Sequence, residues 1–232
     1  MKAVLLAAGK GERLGEITSS IPKPMVPING KPMIEWNIGL CKQYGITDIF
    51  INLHHLPNIV TNYLGNGERF GVTLTYAHET KLLGTGGGVK QFAKSLEEDS
   101  FFVIYADNWS DYNLETIRRH HQVSGVEMTI ALFHLEDVLL SGVAVMDYED
   151  RILEFVEKPK TSPPPSHWVN AGIYLMEPHL LSRIPDGVCD FGREVIPNWI
   201  DAGIHIAGIK MKEKVVPIDT PAQLKTAKIR EK

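Results

Sequence analysis

Cysteine is scarce in this chain. The 232 residues hold two, Cys41 and Cys189, isolated from each other and without a CxxC pair or a zinc spacing around them. That argues against a disulfide scaffold and a cysteine-held metal, and predicts two buried thiols in a reducing compartment. Long apolar runs are also missing at the start. The longest apolar run in the opening MKAVLLAAGKGERLG is six residues, 3–8, before glycine and charge intervene. A secretory core needs about 7–15 residues and a membrane span about 20, so a mature cytoplasmic N-terminus with no membrane contact is expected. Surplus positive charge is the third absence. Lys and Arg number 24 against 28 Asp and Glu, a formal net charge of −4. No broad basic face can be assembled, which argues against nucleic acid as the main partner but not against a nucleotide.

What is present is ordinary globular material, 44% hydrophobic and 22% charged, long enough for a sizeable core. No repeat and no interdomain linker interrupts it, so a single domain over 1–232 is expected. Short β-rich runs alternate with amphipathic stretches. Strands are predicted over 3–8, 48–53, 72–77, 101–106 and 128–133, and helices over 33–44, 59–64, 84–96 and 114–124. This alternation predicts an α/β fold: a three-layer, Rossmann-like, mostly parallel sheet flanked by helices. Ligands of such sheets lie beyond the carboxyl ends of the strands, so the loop after Ala8 and the strand-end Asp107 are expected to share one crevice. Beyond about residue 135 the texture changes. Strands over 142–146, 152–156 and 171–176 are separated by a turn at 148–150 and a proline-rich loop at 158–168, and helices follow over 189–202 and 221–229.

The segment Ala8-Gly9-Lys10-Gly11-Glu12-Arg13 places a glycine turn directly after the first strand. Without Cβ atoms, its N–H groups can approach a phosphate chain, and Arg13 and Lys23 then supply charge. Leucine at position 14 removes the third glycine of GxGxxG, and no GxxxxGK[ST] occurs, so neither a dinucleotide fingerprint nor a P-loop is present. A short Gly-x-Gly alone fits an ordinary strand-to-helix turn equally well.

It does not stand alone. Leu6-Ala7-Ala8-Gly9-Lys10-Gly11-Glu12-Arg13, followed by Pro22-Lys23-Pro24-Met25-Val26-Pro27 and Lys31-Pro32, resembles the N-terminal signature of the sugar-1-phosphate nucleotidylyltransferases (NDP-sugar pyrophosphorylases). The resemblance is to a short form lacking the C-terminal β-helix of some relatives. It implies that Leu6, Ala8, Gly9 and Gly11 surround the nucleotide. Arg13 and Lys23 would then neutralise the attacked α-phosphate and the departing pyrophosphate, the same charge-stabilising role that their chemistry suggests.

Further matches extend the resemblance to Met176. Gly84-Thr85-Gly86-Gly87-Gly88 resembles the family's segment beside base and ribose, with Glu79 ahead of it. A carboxylate there can accept the N1–H and N2–H2 donors of guanine, whereas glutamine would suit uracil or thymine. Asp107 ends an apolar strand and is a natural Mg2+ ligand, since that ion takes few carboxylates plus substrate phosphates. Glu157-Lys158-Pro159 and Asn170-Ala171-Gly172-Ile173-Tyr174 resemble the sugar-site motifs. In them Glu157 would accept sugar hydroxyls and Lys158 would hold the sugar phosphate, with Asn170 lining the pocket and Gly142 where backbone meets the hexose. The second metal aspartate is less regular. Val216-Pro217-Ile218-Asp219-Thr220-Pro221 puts proline where the family has aspartate, leaving Asp219 as candidate. The paired histidines at 54–55 and 120–121 make poor metal clusters because adjacent side chains diverge.

The resemblance therefore implies a Mg2+-dependent condensation of an NTP with a sugar 1-phosphate, residues 1–135 handling the nucleotide and 136–232 the sugar phosphate. GTP with mannose 1-phosphate or a manno-heptose 1-phosphate ranks first. Thymidylyl or uridylyl transfer to glucose 1-phosphate or N-acetylmuramate 1-phosphate ranks second. A cytidylyltransferase for a non-sugar phosphate and a non-catalytic nucleotide-binding subunit are rival classes. The sequence leaves room for a homodimer.

Overall fold

The computed structural model describes residues 1–213, 215–218 and 220–226. Along the chain the main elements are β1 (Lys2–Leu6), α1 (Met33–Gln43), β2 (Asp48–Leu53), α2 (Pro57–Leu64), β3 (Thr73–His78), α3 (Gly84–Lys90), β4 (Phe101–Tyr105), β5 (Asn108–Ser110), α4 (Leu114–Ser124), β6 (Met128–His134), β7 (Gly142–Met146), β8 (Ile152–Glu157), β9 (Trp168–Met176), α5 (Ile196–Asp201), β10 (Ile206–Lys210), β11 (Val215–Pro217) and α6 (Pro221–Thr226). The backbone clusters into two compact units. One takes Met1–Leu82, Ile104–Asp111 and the described residues of Val215–Lys232; the other takes Leu83–Val103 and the described residues of Tyr112–Lys214.

The first unit is parallel. β1 pairs with β2 from Lys2↔Asp48 to Leu6↔Asn52, and β2 with β3 from Asp48↔Thr73 to Leu53↔His78. Ala3, Val4 and Leu5 are fully buried, as expected of a parallel strand covered on both faces. Helix α1 buries Met33, Ile34, Asn37, Ile38 and Cys41, a stripe at three- and four-residue spacing with one polar member. A smaller cluster of Leu14, Val26, Ile28, Met33 and Ile218 ties the loops after β1 to the end of β11. β11 itself pairs antiparallel with β5.

The second unit is mainly antiparallel. β7 and β8 form an antiparallel hairpin, β9 pairs antiparallel with β6 and touches β7 at Val169↔Val143, and β10 runs parallel to β6. Tight turns dictate this, because a short connection such as that between Met146 and Ile152 can join only antiparallel neighbours. The α/β sheet is thus mixed, with parallel strands concentrated in the first unit. Helix α4 keeps its expected bounds because Asn113 caps Thr116 N–H and Gly125 closes it in the left-handed conformation.

Two expected helices are broken up. The one predicted over 84–96 ends at Lys90 and gives way to a 3-10 turn at Ala93–Ser95, although its glycines all lie within the part that is helical. The one predicted over 189–202 becomes a π turn at Phe191–Val195 followed by α5, since Pro197 cannot donate to the ladder. Both cysteines are buried free thiols. Burial pushes the Cys41 thiol up to about 12, its backbone hydrogen bond opposing weakly.

Candidate functional site

In the first unit, polar side chains gather at the carboxyl ends of the parallel strands. Gly9 follows β1 with no atom within 4 Å of where a Cβ would stand, so its backbone faces open space. Gly11 is left-handed, with φ +68, and a Cβ there would meet Thr18 Cγ2 at 2.9 Å and Lys23 Cβ at 3.0 Å. Both a side chain and an L-residue backbone are disfavoured at that position. The Thr18 hydroxyl holds the loop by donating to the carbonyls of Gly11 (3.0 Å) and Gly15 (3.2 Å). Arg13 is exposed in the 3-10 turn Glu12–Leu14. Leu6 and Ala8 are buried.

Lys23 lies beneath this loop, 7% exposed, and its Nζ is 2.7 Å from Asp107 Oδ2. The Asp107 side chain is 34% exposed. Its backbone is fixed from several sides. Ala106 N–H donates to Leu6 O (3.0 Å) and Ile218 N–H to Asp107 O (3.3 Å). Asn37 Nδ2 reaches the carbonyls of Ala106 (3.4 Å) and Asn108 (3.2 Å), on either side of the aspartate. Glu79 follows β3 and is 6% exposed. Asn52 Nδ2 donates to Glu79 Oε1 (2.7 Å), and Ala7 N–H donates to Asn52 Oδ1 (2.8 Å). His54 Nδ1 lies 2.8 Å from Glu79 O and His55 Nε2 2.8 Å from Thr18 O. The adjacent histidines thus serve separate loops.

In the second unit, the Glu157 carboxylate is packed between two glycines. A Cβ on Gly142 or on Gly192 would stand 2.8 Å from Glu157 Oε2. Burial pushes the Glu157 carboxyl above its usual range. The Asp190 charge adds to this, while Lys158 and Arg193 oppose it. Lys158 is exposed and left-handed, with φ 55, and its N–H donates to Ser141 O (2.9 Å). That conformation costs a non-glycine residue about 1–2 kcal/mol.

Gly84 and Thr85 belong to this unit, and their nearest partners are protein atoms. Thr85 Oγ1 donates to Asp190 Oδ2 (3.0 Å) and accepts from Phe191 N–H (2.8 Å). A Cβ on Gly84 would stand 2.3 Å from Cys189 O. The glycines of this segment let α3 dock on the backbone at Cys189, whose carbonyl accepts from Gly86 and Gly87 N–H. Asn170 shapes the irregularity in β9: Oδ1 accepts from Gly172 N–H (2.8 Å) and Nδ2 donates to Tyr174 OH (2.6 Å).

A match to the nucleotidyl transferase family model covers residues 2–214. The chain belongs to the nucleotidyl transferase family. Among its relatives, a UTP–glucose-1-phosphate uridylyltransferase of Synechocystis sp. is 36% identical over 94% of the chain and 60% of its own length. A mannose-1-phosphate guanylyltransferase of Mycobacterium tuberculosis is 34% identical over 87% of the chain and 56% of its own length. The chain therefore spans less than two thirds of either relative. A crystal structure of a Bacillus anthracis protein with bound sucrose superposes with a TM-score of 0.86 at 28% identity, covering 97% of this chain and 92% of that one. The fold class and the family expected from the sequence motifs are both borne out.

Sequence reasoning passed over Asn37, Asn52 and Thr18. Asn37 and Asn52 had a legible signal, each being a polar residue at a core position of an otherwise apolar pattern. Thr18 had none. Asp219 lies outside the described residues and outside the matched segment. Among the described residues, no three His, Cys, Asp or Glu side chains come together as a metal cage. A single partly exposed carboxylate at a strand end is nonetheless a fitting donor for Mg2+, which fills its shell with phosphate oxygens and water. Asp107 is a carboxylate of that kind. No helix among the described residues is long and apolar enough to cross a membrane.

Proposed function

We propose that this transferase condenses an NTP with a sugar 1-phosphate, releasing pyrophosphate and forming an NDP-sugar. The observation that carries the reading is Lys23, buried under the glycine loop and 2.7 Å from Asp107 at the strand ends. A buried cation beside a metal-competent carboxylate suits polyphosphate chemistry. Gly9 and Gly11 present backbone donors to the triphosphate, and Arg13 adds a guanidinium. A sugar-phosphate oxygen attacks the α-phosphorus, the bond to the bridging oxygen of the β-phosphate breaks, and pyrophosphate departs with that electron pair. The attacking phosphate is already ionised near neutral pH, so no protein base is required. Positioning and charge neutralisation do the catalysis. Mg2+ held by Asp107 would supply further neutralisation of phosphate charge.

Glu157 accepts sugar hydroxyl hydrogen bonds and Lys158 holds the sugar phosphate, its strained backbone fixing where the ammonium begins. Gly142 gives the carboxylate room. For the base, the buried Glu79 carboxylate favours guanine, and the similarity to a guanylyltransferase supports that reading. GTP with mannose 1-phosphate or a manno-heptose 1-phosphate is accordingly our first reading. Uridylyl transfer to glucose 1-phosphate is the second, supported by the 36% identical Synechocystis uridylyltransferase. A pyrophosphate-release screen of the common NTPs against a panel of sugar 1-phosphates tests both. No release with any pair would overturn the reaction. Arg13→Ala should lower turnover much more than it raises the sugar-phosphate KM, and normal turnover in that variant would remove Arg13 from the site.

A further inference from the structure

We infer that Thr85 is a positioning residue for the sugar site and not a nucleotide ligand: its hydroxyl braces the turn at Asp190–Gly192 that stands against Glu157. The assignment rests on Glu157 as the sugar-binding carboxylate of the reading above, and it takes Thr85 away from the role that its motif implies.

The Thr85 hydroxyl is committed to protein. A hydroxyl has one proton to give and two lone pairs. The proton goes to Oδ2 of the Asp190 carboxylate (3.0 Å), and Phe191 N–H takes a lone pair (2.8 Å). No donor is left for a phosphate or ribose oxygen. The amides beside it are spent in the same way. Gly86 and Gly87 N–H, in the first turn of α3, donate to Cys189 O (3.0 and 3.3 Å), and Cys189 N–H donates to Leu83 O (2.9 Å). Those first-turn amides are the ones an anion at a helix start would use.

The same turn meets the residues assigned to the sugar. Asp190 Oδ1 accepts from Gly192 N–H (3.0 Å) and Arg193 N–H (3.3 Å), which fixes the start of the π turn. A Cβ on Gly192 would stand 2.8 Å from Glu157 Oε2, so the peptide itself lies against that carboxylate. The Phe191 ring is fully buried, edge-on to Tyr174 with centroids 5.4 Å apart, and Tyr174 OH accepts from Asn170 Nδ2 (2.6 Å). Glu157 and Asn170 are thus both referenced to a turn that Thr85 holds through two hydrogen bonds. All of these residues belong to the second unit. A binding group displaced by about 1 Å loses much of its effect, so slackening this turn should be felt at the sugar.

The test is a kinetic split in the intact chain, using the NTP and sugar 1-phosphate that release pyrophosphate fastest. Thr85→Val keeps the shape of the side chain and removes the hydroxyl. It should raise the sugar 1-phosphate KM about tenfold, the loss expected for a hydrogen bond to a charged group, with the NTP KM near wild type. Thr85→Ser restores the hydroxyl and should restore the sugar 1-phosphate KM. In a Glu157→Gln background Thr85→Val should add little, because the group it acts through is already lost, and fully additive effects would overturn the inference. Should the valine methyl disturb folding, Thr85→Ala removes the same hydroxyl without pressing a methyl on Asp190. Equilibrium binding of a fluorescent NTP analogue, without sugar phosphate, should be the same for wild type and variant. Weakened nucleotide binding would return Thr85 to the nucleotide and overturn the inference. Folded Thr85 variants with the wild-type sugar 1-phosphate KM would overturn it while leaving the transferase reading intact. A wild type that releases no pyrophosphate with any pair, or a Glu157→Gln protein with the wild-type sugar 1-phosphate KM, would overturn the reading of the site and the inference with it.

Discussion

Lys23 Nζ and Asp107 Oδ2, 84 residues apart in sequence, stand 2.7 Å apart with the lysine side chain only 8% exposed. The pair joins the charge of the N-terminal loop to the carboxylate at the end of β4. Lys23→Met should lower kcat by about 10²–10³ with little change in sugar-phosphate KM, the loss expected for one preorganised stabiliser of transition-state charge. Asp107→Ala leaves a buried ammonium without its carboxylate. Because the aspartate is a third exposed, a destabilisation of about 1–3 kcal/mol is expected in urea melts, below that of a fully buried pair. Asp107→Asn keeps an acceptor for the ammonium but not the charge, so it should lose less stability than Asp107→Ala and yet show no Mg2+-dependent turnover.

Asn37 holds the peptide on both sides of Asp107. Asn37→Leu fills the same volume but leaves the carbonyls of Ala106 and Asn108 without that donor, at a cost of about 1–3 kcal/mol. If those carbonyls orient the aspartate, the Mg2+ concentration giving half-maximal turnover should rise in the variant. A titration showing unchanged half-saturation would restrict Asn37 to stability.

Gly142 and Gly192 both abut Glu157 Oε2, but they differ in what else a methyl group would meet. On Gly192 the next contacts are Phe155 Cε1 at 3.4 Å and Asp190 Oδ1 at 3.5 Å, ordinary separations. On Gly142 the Phe155 ring itself lies at 2.8 Å. Gly192→Ala should therefore melt close to wild type while displacing the carboxylate, raising the sugar 1-phosphate KM by about tenfold or more. Gly142→Ala should do the same and also lose about 1–3 kcal/mol through overpacking. Thermal melts together with steady-state kinetics separate the two.

Glu157 gives a pH dependence of defined sign. Burial and the Asp190 charge raise its carboxyl in the folded chain, so the folded state binds this proton more tightly than the unfolded one. Its contribution to stability is present below the unfolded carboxyl range and is lost as pH rises through the raised folded value. Between about pH 4 and 8, spanning the carboxylate range, wild-type Tm should decline relative to Glu157→Gln. The variant should be the more stable at the upper end despite a weaker grip on sugar phosphate. Parallel Tm–pH curves would exclude Glu157 as the titrating group.

Much of the first unit was legible in advance. The all-buried run in β1 and the bounds of β2 follow from apolar patterning that needs no knowledge of partners. In the second unit, strand positions over 142–146 were readable, but direction was not, because burial periodicity is the same for parallel and antiparallel neighbours. Gly84 and Thr85 were assigned to the nucleotide through their motif. Their close docking on Cys189 and Asp190 depends on residues about 100 positions later, which local pattern does not encode.

The sequence by itself determined the chemistry on offer: a glycine turn after a buried strand, Arg13 and Lys23 behind it, and carboxylates at strand ends. Those are local properties of residue type and spacing. Tertiary structure decided which of them meet. Asn52 finds Glu79 across 27 positions and Asn37 reaches Asn108 across 71, and each contact depends on strand register and helix rotation. Hydrogen bonds are directional and short-ranged, so their partners are fixed only once the backbone is in place.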